Sequence, residues 1–339
     1  MQRRATGRSP LLDSCHSWLN NIFTVKNIIY GGYNLSGTDK RRIVIVAPVR
    51  DEAKYLQGTI DAIIAQKLKP VEWILVDDGS KDDTFAIAER ASQEHPWIRV
   101  VKRRNRGVRA VGPGVVEAYY FGYNQIITKD YDYICKMDGD IEIGPDYFST
   151  LVEYFEKDTQ LGSGSGKHFI EVKSALVEER TSDEMVAGMV NFYRRECFED
   201  IGGFVRQVHW DGIAYHKARI KGWRTRSIRN PKLNIIHKRL MGSSHLGIWH
   251  GRMRWGRGQY FMGTHPLYII PMGVYRMAEE PFIIGGLGII CGYFKAMQEG
   301  MQRYEEPGFR DSLHAWQFER LKISNRLERI PEPPVGLYP

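Results

Sequence analysis

The chain has 339 residues, of which 42% are hydrophobic and 26% are charged, and its formal net charge is +8. These values are ordinary for a globular protein with one large domain, or with one domain and an appended lobe, and they exclude a chain that is disordered throughout. The cysteines stand far apart and form no Cys-x-x-Cys pair, which argues against a zinc ribbon or a disulfide framework and favours a reducing compartment. Met1–Ser36 contains no apolar run long enough for the core of a signal peptide, so we expect a cytoplasmic protein.

Strand and helix patterns alternate through the first half of the chain, after a polar leader over residues 1–41. Apolar runs of strand length predict four buried strands, which are Arg42–Pro48, Trp73–Val76, Ile98–Val101 and Tyr133–Met137. Apolar spacing and helix-starting residues predict four helices, which are Glu52–Gln66, Asp83–Glu89, Gly112–Ile127 and Asp146–Phe155. This alternation is typical of an α/β fold with a mostly parallel sheet of the nucleotide-binding kind.

The patterns that follow are weaker. The Gly-Ser-Gly-Ser-Gly run over Gly162–Gly166 has the composition of a flexible connector, and it predicts a boundary between two halves. It is not a Walker loop, because no Gly-Lys-Ser or Gly-Lys-Thr ends it. Beyond it we expect a helix over Glu184–Arg195, another helix after Asp211 and a strand over Trp223–Ile228.

The fourth predicted strand ends at two carboxylates, Asp138 and Asp140, which flank Gly139. Ligands of open α/β sheets bind outside the carboxyl ends of the strands, and a glycine there permits a tight turn and the close approach of a ligand. Two carboxylates at this spacing suit Mn²⁺ or Mg²⁺, which would take its remaining oxygens from waters and a diphosphate. A solvated acidic turn is the alternative explanation.

Positive charge is concentrated in two clusters. The first follows the third predicted strand and consists of Lys102, Arg103, Arg104, Arg106 and Arg109. The second has three histidines nearby, His237, His245 and His250, and consists of Lys238, Arg239, Arg252, Arg254 and Arg257. Such clusters indicate an anionic partner (phosphate, nucleic acid or an acidic membrane face) or only a solvated surface.

Residues 249–297 combine a basic, aromatic stretch with the most apolar run of the chain, Pro281–Phe294. That run is shorter than the ~20 residues that span a bilayer, so a buried helix, a subunit interface and an interfacial membrane segment all remain open. Basic side chains favour an anionic leaflet and aromatic rings favour the headgroup zone. We therefore expect peripheral contact of residues 249–297 with the cytoplasmic face of a membrane.

Four motifs at predicted strand ends occur in the order found in one enzyme family. They are Pro48-Val49-Arg50-Asp51-Glu52, Val76-Asp77-Asp78-Gly79-Ser80, Asn105-Arg106-Gly107 with Arg109 and Gly114, and Asp138-Gly139-Asp140. From about Arg42 to Arg239 the chain resembles family 2 glycosyltransferases with the GT-A fold, which are inverting enzymes that use nucleotide-sugar donors. The division that this implies is a leader (1–41), a nucleotide-sugar-binding half (42–160), an acceptor or catalytic half (161–248) and a C-terminal helical extension (249–339).

The resemblance also implies a donor site and a metal site. The residues implied to bind the nucleotide sugar are Pro48, Val49, Arg50, Glu52, Asp78, Gly107, Arg109, Asp138 and Gly139. The residues implied to hold Mn²⁺ or Mg²⁺ are Asp138, Asp140 and His237. Asp78 would bind the edge of the base, with UDP favoured. Arg50 stands where the family often has tyrosine, and its guanidinium plane can also stack on a base.

Asp211 is implied to be the catalytic base. In the family, this base is the aspartate of a Glu-Asp pair about eleven residues before a Gly-aromatic pair. Asp211 has the same spacing to Gly222-Trp223, but Trp210 stands where the family has the glutamate. An ordinary loop aspartate is the alternative. Polymer-forming members carry Gln-x-x-Arg-Trp, and because Gly251 replaces that glutamine here, we expect the transfer of a single sugar.

These features together predict a metal-dependent glycosyltransferase that moves one sugar from a nucleotide sugar to a glycan or lipid-linked acceptor, in polysaccharide or glycolipid assembly. A nucleotidyltransferase is expected to have a glycine-rich, lysine-bearing loop after the first strand. Pro48–Glu52, which follows the first strand here, is not such a loop. A non-catalytic nucleotide-sugar-binding module would be expected to lose Asp140 or Asp211. We expect no nucleic acid partner, and a homo-oligomer remains open.

Overall fold

A computed structural model describes residues 41–107, 112–172, 175–179, 181–239, 247–278 and 282–322. In chain order the strands are β1 (Ile43–Val49), β2 (Glu72–Asp77), β3 (Ile98–Lys102), β4 (Tyr133–Met137), β5 (Ile141–Ile143), β6 (Leu161–Gly166), β7 (His168–Val172), β8 (Ala175–Glu178), β9 (Val190–Arg194), β10 (Arg224–Ile228) and β11 (Ile235–His237). The helices are α1 (Leu56–Ile64), α2 (Thr84–Glu94), α3 (Pro113–Tyr123), α4 (Tyr147–Lys157), α5 (Arg195–Asp200), α6 (Trp210–Ile220), α7 (Gly247–Met262), α8 (Pro266–Met277), α9 (Ile284–Gln298) and α10 (Phe309–Arg320).

Seven strands form one sheet in the order β10-β6-β9-β4-β1-β2-β3. Only β9 runs against its neighbours, β4 and β6, and the other pairings are parallel. The predicted α/β fold with a mostly parallel sheet is confirmed, with one antiparallel strand inserted. A smaller sheet in the order β5-β11-β7-β8, which the sequence did not predict, places the chain after Asp140 beside His237.

The central strands are continuously apolar because both faces of the large sheet are covered. Ile43 and Ile45 of β1 belong to the core under α1 and α4, whereas Val44 and Val46 belong to the core under α3. Successive side chains of a strand point to opposite faces, so an uninterrupted apolar run is what a doubly covered strand requires. The strands and helices predicted before residue 158 are confirmed, with ends shifted by a few residues.

The predicted connector over Gly162–Gly166 is wrong, because these residues form the buried strand β6. The neighbouring atoms come so close that only glycine fits at its alternate positions. A Cβ on Gly162 would lie 2.5 Å from Sγ of Cys197, and a Cβ on Gly164 would lie 2.9 Å from Cε2 of Phe155. The small residues therefore serve close packing, which composition alone cannot distinguish from flexibility.

The helix predicted over Glu184–Arg195 is also wrong. Its second half is β9, which pairs Asn191 with Lys136 of β4 and Tyr193 with Ser163 of β6. Pairing on both sides outweighs the local helical spacing, since strand formation depends on neighbours that are distant in sequence. The predictions of a helix near Asp211 and of a strand ending at Ile228 are confirmed by α6 and β10.

The most apolar run of the chain lies in α9, which packs against α7 and α8. The helices approach so closely that a Cβ on Gly256 would lie 1.9 Å from the carbonyl oxygen of Ile289, and a Cβ on Gly292 would lie 2.1 Å from that of Met253. One face of α9 is thus buried along the helix, whereas Leu287 in its first turn and Met297 near its end are each 42% exposed. Among the described residues, no helix has both the length and the hydropathy to cross a membrane.

Gly166 provides a test of the corrected strand. A Cβ at this position would lie 1.5 Å from the carbonyl oxygen of Leu233, a backbone atom that cannot rotate away. We expect Gly166→Ala to lower the free energy of unfolding by about 3 kcal/mol or more. Urea denaturation measures it, with Gly144→Ala as the matched control, since nothing lies within 4 Å of a Cβ there. Equal stability of the two variants would contradict the packing of β6 described above.

Candidate active site

The candidate site lies at the edge where β1, β2 and β4 end. These strands are parallel neighbours, and the amide of Asp78 donates to the carbonyl of Val49 at 2.9 Å. Gly139 lies against β1, because a Cβ there would come 2.7 Å from Cγ1 of Val49. The structure therefore brings together Pro48–Glu52, Asp78 and the turn after β4, as the sequence predicted.

The carboxylate of Asp78 is paired with two arginines from the loop after β3. Nη1 of Arg103 donates to its Oδ1 at 2.6 Å, and Nη2 of Arg106 contacts Oδ2. The guanidinium of Arg50 donates to the backbone carbonyl of Asp78 at 2.8 Å. The sequence analysis did not foresee the two pairings, although the adjacency of β2 and β3 was a usable signal. For these two members of the first basic cluster, the solvated-surface alternative is wrong.

Arg50 is held in the wall of the site. Its side chain is 8% exposed, and its Nη2 donates to Oδ1 of Asn105 at 3.1 Å. The same oxygen accepts a hydrogen bond from the amide of Gly107 at 2.8 Å, which places the loop after β3 beside that of β1. Stacking of Arg50 on a base stays a prediction. Arg109 lies outside the described residues.

A buried cluster of charged side chains surrounds Asp140. Nε of Arg239 donates to Oδ2 of Asp140 at 2.7 Å, and Nη2 of Arg239 donates to Oε1 of Glu52 at 2.6 Å. Nε2 of His237 lies 3.3 Å from the same Asp140 oxygen. The side chains of Asp140 and Glu52 are only 3% and 6% exposed. Four groups from loops that are distant in sequence therefore neutralise one another inside the protein.

The cluster shifts the pKa values of its members. Burial alone would raise the pKa of Asp140, but the hydrogen bond and charge of His237 and the charge of Arg239 outweigh it and lower that pKa to about 2. Burial opposes the protonated form of His237, yet the carboxylates of Asp140 and Glu179 raise its pKa to about 9. Asp140 is therefore ionised and His237 protonated at neutral pH.

The residues predicted to hold a metal lie around Asp140. Nε2 of His237 faces Asp140, and its Nδ1 lies 3.9 Å from Oε2 of Glu179. A cation on Asp140 would have to displace Arg239 and the proton on His237. No cluster of three or more His, Cys, Asp or Glu side chains with metal-binding geometry occurs in the described part of the chain.

Lys136 connects the turn after β4 to the loop before β9. Its side chain is 3% exposed; Nζ contacts Oδ1 of Asp138 and donates to the carbonyl of Gly188 at 3.0 Å. The amide of Asp138 in turn donates to the carbonyl of Met189 at 2.9 Å. The sequence analysis missed Lys136, because a lysine inside an apolar strand pattern gives no sign of its partners.

Asp211 lies across Gly188 from this turn. It occupies the first turn of α6, where unpaired helix amides favour a carboxylate, and its Oδ1 accepts from the amide of Gly212 at 2.9 Å. Its Oδ2 is so near Gly188 that a Cβ there would lie 2.9 Å away. The preceding His209 has a left-handed φ of 65°, and its Nε2 accepts a 3.0 Å hydrogen bond from Nε2 of Gln259 on α7. Burial lowers the pKa of His209 to about 4, so the imidazole is neutral at neutral pH.

A cavity of about 660 Å³ opens on Asp211 from the side of the C-terminal helices. Side chains of α6, α7, α8 and α10 line it, among them Tyr215, Trp255, Tyr268 and Trp316. Its walls are mostly apolar, and its volume is in the range of small-molecule sites. Asp78, Asp138, Asp140 and His237 are not among its lining residues. The cavity and the strand edge are therefore two compartments on either side of Asp211 and Gly188.

The cluster around Asp140 generates a prediction. In Arg239→Gln the buried carboxylates of Asp140 and Glu52 lose their shared cation, which lowers the free energy of unfolding by about 3 kcal/mol. Because the carboxylate of Asp140 is then open, we expect Mn²⁺ to raise the melting temperature of Arg239→Gln more than that of the unsubstituted chain. Lys238→Gln is the control, since Lys238 pairs with the more exposed Glu142. Equal Mn²⁺ shifts in all three proteins would mean that Asp140 takes no cation.

Comparison with known proteins gives the site a context. Residues 44–174 match the family model described as glycosyl transferase family 2. A poly-β-1,6-N-acetyl-D-glucosamine synthase of Staphylococcus aureus is 22% identical over 252 residues, which are 65% of this chain and 58% of the synthase. The Staphylococcus epidermidis synthase is 23% identical over 61% of this chain. This chain thus spans little more than half the length of the curated relatives it matches.

One of two similar solved structures, that of GalNAc-T7, supports the fold. The structure of GalNAc-T7 with UDP, GalNAc and Mn²⁺ superposes with a TM-score of 0.50 at 12% identity, over 83% of this chain and 56% of that one. A mannosyltransferase from Pyrobaculum calidifontis, solved with GDP-Man and Mn²⁺, gives a TM-score of 0.49 at 15% identity, over 91% of this chain and 88% of that one. Residues 44–174 are thus similar to glycosyl transferase family 2, and the likeness to GalNAc-T7 shows a GT-A fold.

Proposed function

We propose that this protein is an inverting, metal-dependent glycosyltransferase that moves one sugar from a nucleotide sugar to a glycan or lipid-linked acceptor. One observation carries the proposal: the carboxylate of Asp211 lies against Gly188, whose carbonyl shares Lys136 with Asp138. A group able to deprotonate an acceptor therefore stands next to the strand edge where a nucleotide would bind. The cavity that opens on Asp211 provides room for the acceptor.

In this proposal the donor binds along the edge formed by β1, β2 and β4. Asp78 holds the base, Pro48, Val49, Arg50 and Glu52 wall the nucleoside, Gly107 and Arg109 lie beside the diphosphate, and Asp138 with Gly139 meets the ribose. UDP is the favoured nucleotide; the GalNAc-T7 structure contains UDP with Mn²⁺, which supports this choice. Because Asp78 is paired with Arg103 and Arg106, a nucleotide base would have to replace these arginines as the partner of the Asp78 carboxylate.

Asp140 and His237, with Asp138 nearby, would hold Mn²⁺ or Mg²⁺. Such an ion supplies Lewis-acid stabilisation of the diphosphate as it leaves. Arg239 would be released from Asp140 when the ion binds, and its guanidinium would then be available to the diphosphate oxygens. His237 would have to be neutral to act as a ligand.

The transfer itself needs one base. The acceptor hydroxyl attacks the anomeric carbon from the face opposite the diphosphate, the bond to the diphosphate breaks with its electron pair, and the hydroxyl proton passes to Oδ2 of Asp211. This displacement inverts the anomeric configuration. The first turn of α6 holds Asp211 in place through the hydrogen bond from the amide of Gly212. The related synthases form a polymer by name, whereas Gly251, which lines the cavity in place of a glutamine, supports a single transfer here.

The base assignment is tested by two substitutions. Asp211→Asn keeps the shape of the side chain but cannot accept a proton, so UDP-sugar binding should persist while transfer falls about 10²–10⁴-fold. Gly188→Ala inserts a methyl group 2.9 Å from the Asp211 oxygen, and we expect about a 10²-fold loss of transfer from misplacement alone. Calorimetric titration with UDP and a sugar-transfer assay measure both. Near-normal transfer by Asp211→Asn would show that the proton goes elsewhere.

We also propose that the C-terminal helices contact the cytoplasmic face of a membrane. Exposed apolar side chains recur along one face of α8, namely Leu267 (62%), Ile270 (43%) and Val274 (56%). Ile283 (64%) and Ile284 (50%), which lie at the start of α9, extend the same kind of surface. Contiguous exposed apolar side chains mark interaction sites, and basic side chains nearby favour contact with an anionic leaflet.

The surface of α8 predicts membrane binding that charge can abolish. The full chain should float with anionic liposomes at low salt, and Ile270→Glu/Val274→Glu should stay in the soluble fraction because it buries two carboxylates in the interface. Ile127→Glu is the control, since Ile127 is 66% exposed in the loop between α3 and β4. If the double variant floats as well as the control, α8 is not the contact surface. A concentration-dependent dimer without flotation would indicate a subunit interface.

A further inference from the structure

Lys136 is a buried charge in an otherwise uncharged strand. It belongs to β4, where its side chain is 3% exposed and its neighbours Cys135 and Met137 are fully buried. Taking an ammonium group out of water costs free energy unless its new contacts offset the cost, and an apolar side chain often serves equally well inside a protein. The contacts of the ammonium therefore indicate what a lysine does at this position.

The loop Ala187–Met189 presents three successive carbonyls, and each of them accepts a hydrogen bond. The first accepts from Nδ2 of Asn191 at 3.1 Å, and the last accepts from the amide of Asp138 at 2.9 Å. The middle carbonyl, that of Gly188, accepts from Nζ of Lys136 at 3.0 Å. Among these three donors, the ammonium is the one that also contacts the carboxylate of Asp138. It therefore joins the loop to an acidic side chain of the strand edge.

The ammonium also lies over an aromatic ring at the start of α6. Nζ of Lys136 is 5.1 Å from the ring centre of Trp210, and the face of such a ring attracts a cation. The ring is 8% exposed and packs against that of Phe204, with 4.6 Å between the ring centres. Asp211 is the next residue of α6, and its Oδ2 lies against Gly188. One ammonium therefore contacts both parts of the backbone that adjoin the carboxylate of Asp211.

We propose that Lys136 is a positioning residue that holds Asp211 in place relative to the bound donor. It acts through Gly188 and Trp210. This inference rests on the proposed function, in which Asp138 meets the ribose and Asp211 takes the proton. Ribose hydroxyls that donate to Asp138 compete with the ammonium for that carboxylate. The ammonium is then held more by the carbonyl of Gly188 and the ring of Trp210, so donor binding tightens the contacts next to the base.

The test is amide hydrogen exchange of the full chain, with and without UDP in the presence of Mn²⁺. Mass spectrometry follows the peptide over residues 207–214, which contains the amide that Gly212 donates to Oδ1 of Asp211. In the unsubstituted chain we expect UDP to slow exchange there at least about 3-fold, because tighter contacts open less often. Lys136→Met should abolish this slowing. UDP should still bind this variant, since Asp138 is 34% exposed and water can solvate its carboxylate.

Lys217→Met is the matched control, because Lys217 lies on α6 itself but pairs with Glu306 at 2.9 Å and does not line the cavity. UDP should slow exchange in this control as in the unsubstituted chain. If Lys136 only stabilises the fold, Lys136→Met will exchange faster throughout β4 and β9 but will keep the slowing by UDP, which would overturn the proposal. Lys136→Gln, which is polar and uncharged, takes the place of Lys136→Met if melting shows that the latter does not fold.

Calorimetric titration with UDP separates this inference from the proposed function. An unsubstituted chain that binds UDP without slower exchange over residues 207–214 would refute the inference alone. A chain that does not bind UDP would refute the proposed function itself. Loss of UDP binding in Lys136→Met but not in Lys217→Met would assign the lysine to the donor site, and it would also overturn the positioning role.

Discussion

The strand edge, where β1, β2 and β4 end, depends on the mutual neutralisation of buried charges around Asp140. Glu52 follows β1, Asp140 lies between β4 and β5, and His237 and Arg239 come from β11 and the residues after it. Removing an ion from water costs several kcal/mol, and close opposite charges have to offset that cost. The charges of the cluster therefore compensate one another only when these loops are brought together. This requirement links the smaller sheet to the strand ends of the large one.

The same compensation recurs at two further acidic residues of the edge. Asp78 is paired with Arg103 and Arg106, and Asp138 with Lys136. The edge is consequently close to neutral, although its sequence suggests a dense negative patch. A bare cation or a bare diphosphate would break these pairs without replacing both charges. Under the proposed function, a nucleoside diphosphate that arrives with its cation would replace both, because the cation would take the carboxylates and the diphosphate would take the released basic groups.

The sequence allowed the first half of the fold and the positions of the acidic residues to be predicted. Apolar strands with intervening helices have a strong local signal, and carboxylates after such strands must meet at one edge. It did not allow β6 and β9 to be predicted. Two segments, Gly162–Gly166 and Val190–Arg194, are strands only because residues distant in sequence cover them and pair with them. Neither composition nor apolar spacing indicates such contacts. The partners of Lys136, Arg103 and Arg106 were inaccessible for the same reason.

The two compartments differ in how their charge is arranged, and Gly188 lies at the boundary between them. At the strand edge, acidic and basic side chains are paired, so a ligand has to replace one member of a pair in order to contact the other. On the cavity side, burial lowers the pKa values of His209 and His216, so both imidazoles are neutral at neutral pH. Among the described residues that line the cavity, Asp211 is the one acid. Its carboxylate can lie against the backbone of residue 188 because that residue has no side chain, and a methyl group placed there would push Asp211 away from the loop that Lys136 ties to Asp138.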